Sequence, residues 1–418
     1  MNEIKKPAIR FQWFFDEWEK RSIGELTEEL HEYATLDSSY PLLTSSREGI
    51  MFQDEYRSNR TTENNETLFS VVPYGKCTYR HMSDDDIFHF NINDIVEKGL
   101  VSREYPVFDS TDNNDLRFIV ALLNSSEQFR RFCRERKMGG TRTRLYYKHL
   151  SNFKPRCPMF NEQRSIADFL DNINSLLSHH QSKLKKLQAL KASMLEKMFP
   201  KDGADVPEVR FKGFTGAWER RKLDHVFIDL QNNTLSRSCL SFKEGLAKDI
   251  HYGDVLVRFG EVLDIKIAPL PAITDESIII KYKKSFLRNG DIIVADTAED
   301  EAVGKCTEIV GINSEVVIAG LHTIPYRPLI YFAPGYLGYY MNSPAYHNQL
   351  LPFMQGIKVT SISKSSVKET TIAYPQSIDE QKQIGNYFCQ LDNLITLRQQ
   401  ELDKLQSIKK ALLEKMFF

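Results

Sequence analysis

Two glycine-marked segments hold the residue types best suited to chemistry in this chain: Gly139-Gly140-Thr141-Arg142-Thr143-Arg144 and Gly356-Ile357-Lys358-Val359-Thr360-Ser361. Glycine lets backbone approach a ligand closely, and the arginine, lysine and hydroxyl donors beside it suit phosphates and guanine edges. Lys137, Thr141, Arg142 and Arg144 in the first segment, and Gln355, Lys358 and Thr360 in the second, are therefore candidate DNA contacts. Tyr79, Arg80 and His81 form another basic–aromatic cluster, and Arg258 stands alone in the second half. Taken singly, each of these is more often a surface cation than a base reader. What gives the glycine segments weight is that they recur at matching places.

Catalytic patterns are harder to find. Gly304-Lys305-Cys306 resembles the end of a phosphate loop, but Glu299 stands where the first glycine is needed and Cys306 where Ser or Thr is needed. Asn342-Ser-Pro-Ala-Tyr346 faintly echoes an amino-methyltransferase motif, yet it lacks the first proline and has no glycine-rich cofactor loop to accompany it. Asp296 to Glu301 (DTAEDE) offers four carboxylates; with no visible counterpart in the first half, it reads as an exposed acidic loop. The six cysteines lie far apart without metal-ligand spacing and read as reduced thiols. The expectation is a chain that binds rather than catalyses, with no metal or cofactor of its own.

The elements that must position these segments come in duplicate. Asn161–Phe199 aligns without a gap on Asp379–Phe417 at an offset of 218, with 15 identities in 39 positions. The opening residues Pro7, Arg10, Phe11, Phe14, Trp18 and Glu19 recur at Pro207, Arg210, Phe211, Phe214, Trp218 and Glu219, at an offset of 200. Asn124-Ser125 and Asn342-Ser343 return to 218, so the second half is 18 residues longer somewhere before that point. A repeat of this kind fixes the architecture before any local reading. It means two similar modules, each closing in a long helix.

Both helices carry an apolar seam. Ile166, Leu170, Ile173, Leu177, Leu184, Leu187, Met194 and Met198 match Ile384, Phe388, Leu391, Ile395, Leu402, Leu405, Leu412 and Met416. Both seams break at the same two places, His180/Arg398 and Lys191/Lys409, which are expected to fix register at some cost in stability. A 3.5-residue repeat suits a partner helix, and about 39 helical residues reach roughly 58 Å, too far to lie on one small domain. Each helix is the other's best partner, and the chain path favours an antiparallel pair.

Within each module, strand-like runs are followed by helix. Leu68–Tyr74, Ile87–Asn91 and Gly99–Phe108 read as strands, as do Asp254–Phe259, Ser277–Tyr282, Asp291–Ala295 and Glu315–Ala319. Helices are expected over 116–136 and, with a break near Pro344, over 336–354. The fold class is α+β: two similar modules at residues 1–160 and 201–378, separated by two long helices at 161–200 and 379–418 that form an antiparallel coiled coil. The chain's 418 residues suffice for two cores, and its 41% hydrophobic and 27% charged content is ordinary for globular proteins. A net charge of −1 gives no global nucleic-acid signal, so clustering of charge must decide. No signal-peptide core or long apolar run is present, so a soluble cytoplasmic protein is expected, with no membrane partner.

The doubled P-x-x-R-F-x-x-F-x-x-x-W opening, the Glu-Gln pairs (Glu162-Gln163, Glu380-Gln381) and the Leu-Glu-Lys-Met-Phe endings together resemble the specificity subunits of type I restriction–modification systems. Only Trp13, where the second copy has Gly213, departs from the pattern, with local effects expected. The resemblance implies two target-recognition domains, each reading half of a bipartite target in double-stranded DNA. It implies docking of two methyltransferase subunits that use S-adenosylmethionine, and of two restriction/translocase subunits that use ATP and Mg2+. None of these cofactors would be bound by this chain. The rival reading is a coiled-coil scaffold with protein-binding modules.

Overall fold

The computed structural model describes residues 6–56, 67–135, 142–356 and 358–417. The chain divides into two compact units, residues 1–181 with 400–418, and residues 182–399. Both cuts fall within the long helices, which span Phe160–Lys197 and Ile378–Met416. Each unit therefore owns the opening of one long helix and the close of the other.

In the first unit the opening strand Glu19–Lys20 pairs with Arg156–Cys157, immediately before the first long helix. A four-stranded antiparallel sheet runs in the order Thr27–Glu29, Val107–Ser110, Cys77–Tyr79, Phe90–Ile92. Lys98–Ser102, Phe69–Pro73 and Tyr33–Ala34 form a second antiparallel sheet. The helical stretch expected at 116–136 is two helices, Leu116–Ser125 and Glu127–Arg134. Ser126 breaks it by capping the second, its hydroxyl accepting from the Phe129 N–H at 3.2 Å.

The second unit repeats this plan with a larger sheet. Glu219–Lys222 pairs with Thr371–Tyr374 just before the second long helix. Five strands run in the order Phe227–Asp229, Thr323–Pro328, Ile292–Ala295, Cys306–Val310, Val262–Asp264, and only the last pair is parallel. Two segments expected as strands are helices instead, Tyr252–Val257 and Glu276–Tyr282. Each has a capping acceptor just ahead of it: His251 Nδ1 takes the Gly253 N–H and Asp275 takes the Ser277 N–H. Short apolar runs do not separate strand from helix by pattern alone, and here the caps decide.

The recurring residues are structural clamps. Arg10 grips the buried Glu162 with two bonds of 2.6 Å, and Arg210 grips the buried Glu380 at 2.7 and 2.8 Å. The neighbouring glutamines each tie the helix start to the module: Gln163 to the Asp115 N–H and the Pro158 carbonyl, Gln381 to the Ala333 N–H and the Pro375 carbonyl. Asn124 and Asn342 each exchange two hydrogen bonds with a core-strand backbone, at Phe90 and Cys306 respectively. Both ends of the Asn342 amide are thus committed to holding the fold.

The endings explain themselves the same way. Met416 and Phe417 pack in the first unit's core beside Trp18, Phe118 and Ile166, while Met198 and Phe199 pack in the second unit's core beside Trp218 and Phe388. In the first unit, Ile166 and Leu170 share a core with Leu412 and Met416, and His180 Nδ1 lies 3.3 Å from Glu401. In the second, Lys191 lies 2.6 Å from Asp392 and Met198 shares a core with Ile384. Within each unit one helix ascends in number as the other descends, so the pairing is antiparallel. None of the twenty seam positions is exposed. Among the described residues, no helix is long and apolar enough to cross a membrane.

Candidate nucleic-acid interface

The two glycine segments are closed by the same device. In the first unit Thr143–Arg144 pairs antiparallel with Met82–Ser83; in the second, Thr360–Ser361 pairs with Thr297–Ala298. Gly356, at φ +123°, sits in a backbone conformation that favours glycine, and the Gln355 and Ser361 backbones pair across the turn. Lys137 and Thr141 lie outside the described residues, as do Gly139 and Gly140.

The ladder corrects one expectation drawn from sequence. The acidic run after Thr297–Ala298 (Glu299-Asp300-Glu301) does have a counterpart, Asp84-Asp85-Asp86 after Met82–Ser83. An offset of 215 there, against 218 nearby, hid it from a fixed-offset comparison. Both ladders therefore stand beside a carboxylate loop.

In the first unit that loop is engaged. Arg142 Nε donates to Asp84 at 2.7 Å, Arg47 to Asp85 at 2.5 Å, and the Thr143 hydroxyl to Asp86. Desolvation pulls the Asp85 pKa up, but bonds from Ser83 and Arg47 outweigh it and leave the net shift downward. Arg80 and Arg144 are exposed. Arg80 borders two cavities, one of about 290 Å³ that Arg47 and Asp84 also line, and one of about 370 Å³ shared with Arg103 and Glu104. His81 is buried, with Nε2 3.1 Å from Glu104 and its ring stacked on Tyr146 at 5.2 Å. Burial, opposed by Glu104, holds its imidazole pKa below the ordinary value.

Tyr79 is not an interface residue. It is fully buried, its ring 4.6 Å from Phe90 and its hydroxyl donating to the Leu145 carbonyl at 3.0 Å. All three residues of the strand Cys77–Tyr79 are buried, and Arg80, the first residue past its end, is exposed.

In the second unit, Gln355 and Lys358 are exposed and Thr360 is half-buried. Arg258 is joined by a residue that sequence reasoning missed. Asp254 is fully buried and accepts from Arg237 at 2.6 and 2.9 Å and from Arg258 at 3.2 Å. Nothing in sequence links positions 237 and 254; only the fold does. Arg47 and Arg103 were missed for the same reason. Desolvation would raise the Asp254 pKa, but Arg237 and Arg258 overcome it and leave it lowered. Nearby Asp249, bonded by Asn233 at 2.6 Å, is pushed up to about 6 by burial.

A chain of contacts ties this cluster to the glycine hairpin. His251 lies 4.7 Å from the Tyr252 ring, Tyr252 lies 5.3 Å from His322, and His322 Nδ1 is 3.2 Å from Asp296. Asp296 precedes Thr297, which pairs with Ser361. These contacts link charged and aromatic groups of the helix Tyr252–Val257 to the hairpin, residue types suited to nucleic acid. Among the described residues, no group of three or more His, Cys, Asp or Glu side chains is placed to hold a metal ion.

Comparison with known proteins agrees with this architecture. Residues 217–407 match the type I restriction modification DNA specificity domain. The chain is 23% identical over 281 residues to the type I restriction enzyme MjaVIII specificity subunit of Methanocaldococcus jannaschii, a match covering 64% of this chain and 61% of that protein. Its fold is similar to the crystal structure of a type I restriction–modification S subunit from M. genitalium, with a TM-score of 0.56 at 12% identity over 99% of each chain. It is also similar to a chain solved in work on complex assembly and conformational transition of the type I system, with a TM-score of 0.53 at 15% identity over 96% of this chain and 97% of that one. With that domain matched in its second half and the S-subunit fold along its length, the chain is similar to the specificity subunits of type I restriction–modification systems.

Proposed function

We propose that this chain is the non-catalytic, sequence-reading subunit of a type I complex, each module reading one half of a bipartite site in double-stranded DNA. The single observation that supports the reading is the repeated ladder, in which a two-stranded pairing with hydroxyl groups follows a glycine-marked sequence in both modules. Two methyltransferase subunits using S-adenosylmethionine and two restriction/translocase subunits using ATP and Mg2+ would complete the complex. The helix pair would dock the former and set the gap between half-sites.

The test is a methylome. The chain is expressed with its neighbouring methyltransferase in a host lacking both, and modified adenines are mapped by single-molecule sequencing. A bipartite motif that requires this chain supports the reading. Absence of any new motif, despite a soluble complex and an active partner, would leave the scaffold account standing.

The spacing role has its own test. Insertion after Lys191 and Lys409 is the intuitive design, but Lys191 is tied to Glu261 and Asp392, and the segment beyond it packs in the second unit's core. Seven residues inserted after Gln181, with seven after Gln399, keep the 3.5-residue seam in phase and add roughly 10 Å, about three base pairs of rise. The expected result is a motif whose unread gap widens by about that amount. An unchanged gap in an active complex sinks the idea.

A further inference from the structure

One bidentate guanidinium is enough to neutralise and satisfy a carboxylate, yet Asp254 has two. Arg237 spends its terminal fork on Asp254, Nη1 to Oδ2 at 2.6 Å and Nη2 to Oδ1 at 2.9 Å. Arg258 touches it only through Nη1, at 3.2 Å. Among the described residues, the lateral fork of Arg258, Nε and Nη2, has no partner, and its side chain is 40% exposed. The cluster therefore presents one unused pair of donors with fixed direction.

From this we infer that Asp254 and Arg237 are positioning residues that hold the free fork of Arg258 for bidentate donation to a guanine edge in the second half-site. The inference rests on the DNA-reading function proposed above. Guanine presents two acceptors, O6 and N7, spaced for such a fork in the major groove. A phosphate contact needs charge more than direction, whereas base readout needs direction. Tethering a surface arginine to a buried carboxylate supplies direction, because it removes the rotamer freedom of a long side chain before DNA arrives. Arg237 has a part in this without touching DNA. Without its terminal fork on both Asp254 oxygens, the carboxylate would be free to draw Arg258 into a bidentate pair and consume the reading fork.

The placement fits. Asp254 lies in the first turn of the helix Tyr252–Val257, whose leading residues His251 and Tyr252 begin the contact chain to His322 and the glycine hairpin. The helix that carries Asp254 is thus linked through these rings to Asp296, which precedes the strand paired with Thr360–Ser361.

The experiment uses the full chain with its partner methyltransferase and compares methylomes of wild type, R258K and R237Q. Lysine at 258 keeps the charge and the link to Asp254 but has no fork. The expected R258K result is relaxation at one G·C position of the second half-site, with discrimination falling about 5- to 150-fold. The first half-site and the salt dependence of binding should be unchanged. R237Q should relax the same position. A phosphate contact would tolerate lysine, so an R258K motif identical to wild type overturns the inference. Should R237Q unfold the second unit, the exposed R258K still decides. Failure of wild type itself to give a bipartite motif overturns the DNA-reading proposal, whereas a wild-type motif unaltered in R258K overturns only this one.

Discussion

Lys191 and Lys409 occupy the same seam position 218 residues apart and meet opposite surroundings. Lys191 Nζ lies 2.6 Å from Asp392 and 2.8 Å from Glu261, with the Tyr339 ring 5.6 Å away. Burial pulls its pKa down, but the two carboxylates outweigh it and the net shift is upward. Lys409 borders a cavity of about 480 Å³ with Asn91, Asn124, Asn174 and Leu413. Among the described residues it has no ion pair, and burial alone lowers its pKa. The reason lies in its neighbours: Asp392 corresponds to Asn174, and Glu261 stands at the start of a strand (Val262–Asp264) paired parallel to the module's sheet. A duplicated helix residue takes its role from what the diverged module sets against it. The breaks in the seam are equal in sequence and unequal in energy.

The largest effect should come from breaking the satisfied site. K191M removes the cation bonded to both Glu261 and Asp392, which are partly buried, and should cost about 2–4 kcal/mol of the second unit's stability. K409M removes a half-buried cation that lacks a counter-charge, and should be neutral or stabilising by up to about 1 kcal/mol. Urea unfolding followed by probes in each unit reads both variants. Equal losses would show that the seam lysines act alike and that the local carboxylates do not matter.

Alkaline titration separates the two with opposite signs. Lys191, raised in the folded state, adds stability in full below its ordinary value of 10.5 and loses it as pH climbs through the raised folded value. Lys409, lowered, carries its full penalty below its folded value and sheds it as pH rises from there towards 10.5. Subtracting each methionine variant from wild type isolates these slopes from the tyrosines and cysteines that titrate nearby. The wild-type minus K191M difference should shrink at high pH, and the wild-type minus K409M penalty should fade. Slopes of the same sign would contradict the assignment of partners.

How much of this could be read in advance divides along the same line. The long helices, their seam and the clamp residues were legible because duplication compares the chain with itself: a clamp such as Arg10–Glu162 leaves a matching Arg210–Glu380. The strands at 69–73 and 292–295 were legible from short β-branched runs. Residues 252–257 and 276–282 were not, because a side chain one residue ahead supplies a cap that apolar pattern cannot show. In the candidate interface Arg80, Arg142 and Arg144 are exposed, while Tyr79 ends a strand that is buried on both faces, which a basic–aromatic cluster in sequence could not show. The Arg237–Asp254 pair was out of reach, since a separation of 17 residues carries no periodic signal of their contact. Local pattern reports what a segment does alone; partner choice is written in the tertiary fold.

The smallest predicted effect tests the comparison most directly, because it tries to convert one site into the other. N174D places a carboxylate on the first long helix where the second has Asp392, opposite Lys409 rather than Lys191. The new pair would be partly solvated and Glu261 would still be missing, so a gain of only about 0.5–1 kcal/mol is expected in the first unit. Asp171 already lies nearby and is bonded by Arg117 at 2.8 Å, so part of any change would come from repulsion between the two carboxylates. A double-mutant cycle removes that term. N174D measured in wild type and in K409M should differ by the coupling energy of the new pair alone. A favourable coupling means that a single helix substitution explains part of why Lys191 is held and Lys409 is not. No coupling would place the whole difference in the module, with Glu261 as the partner that matters.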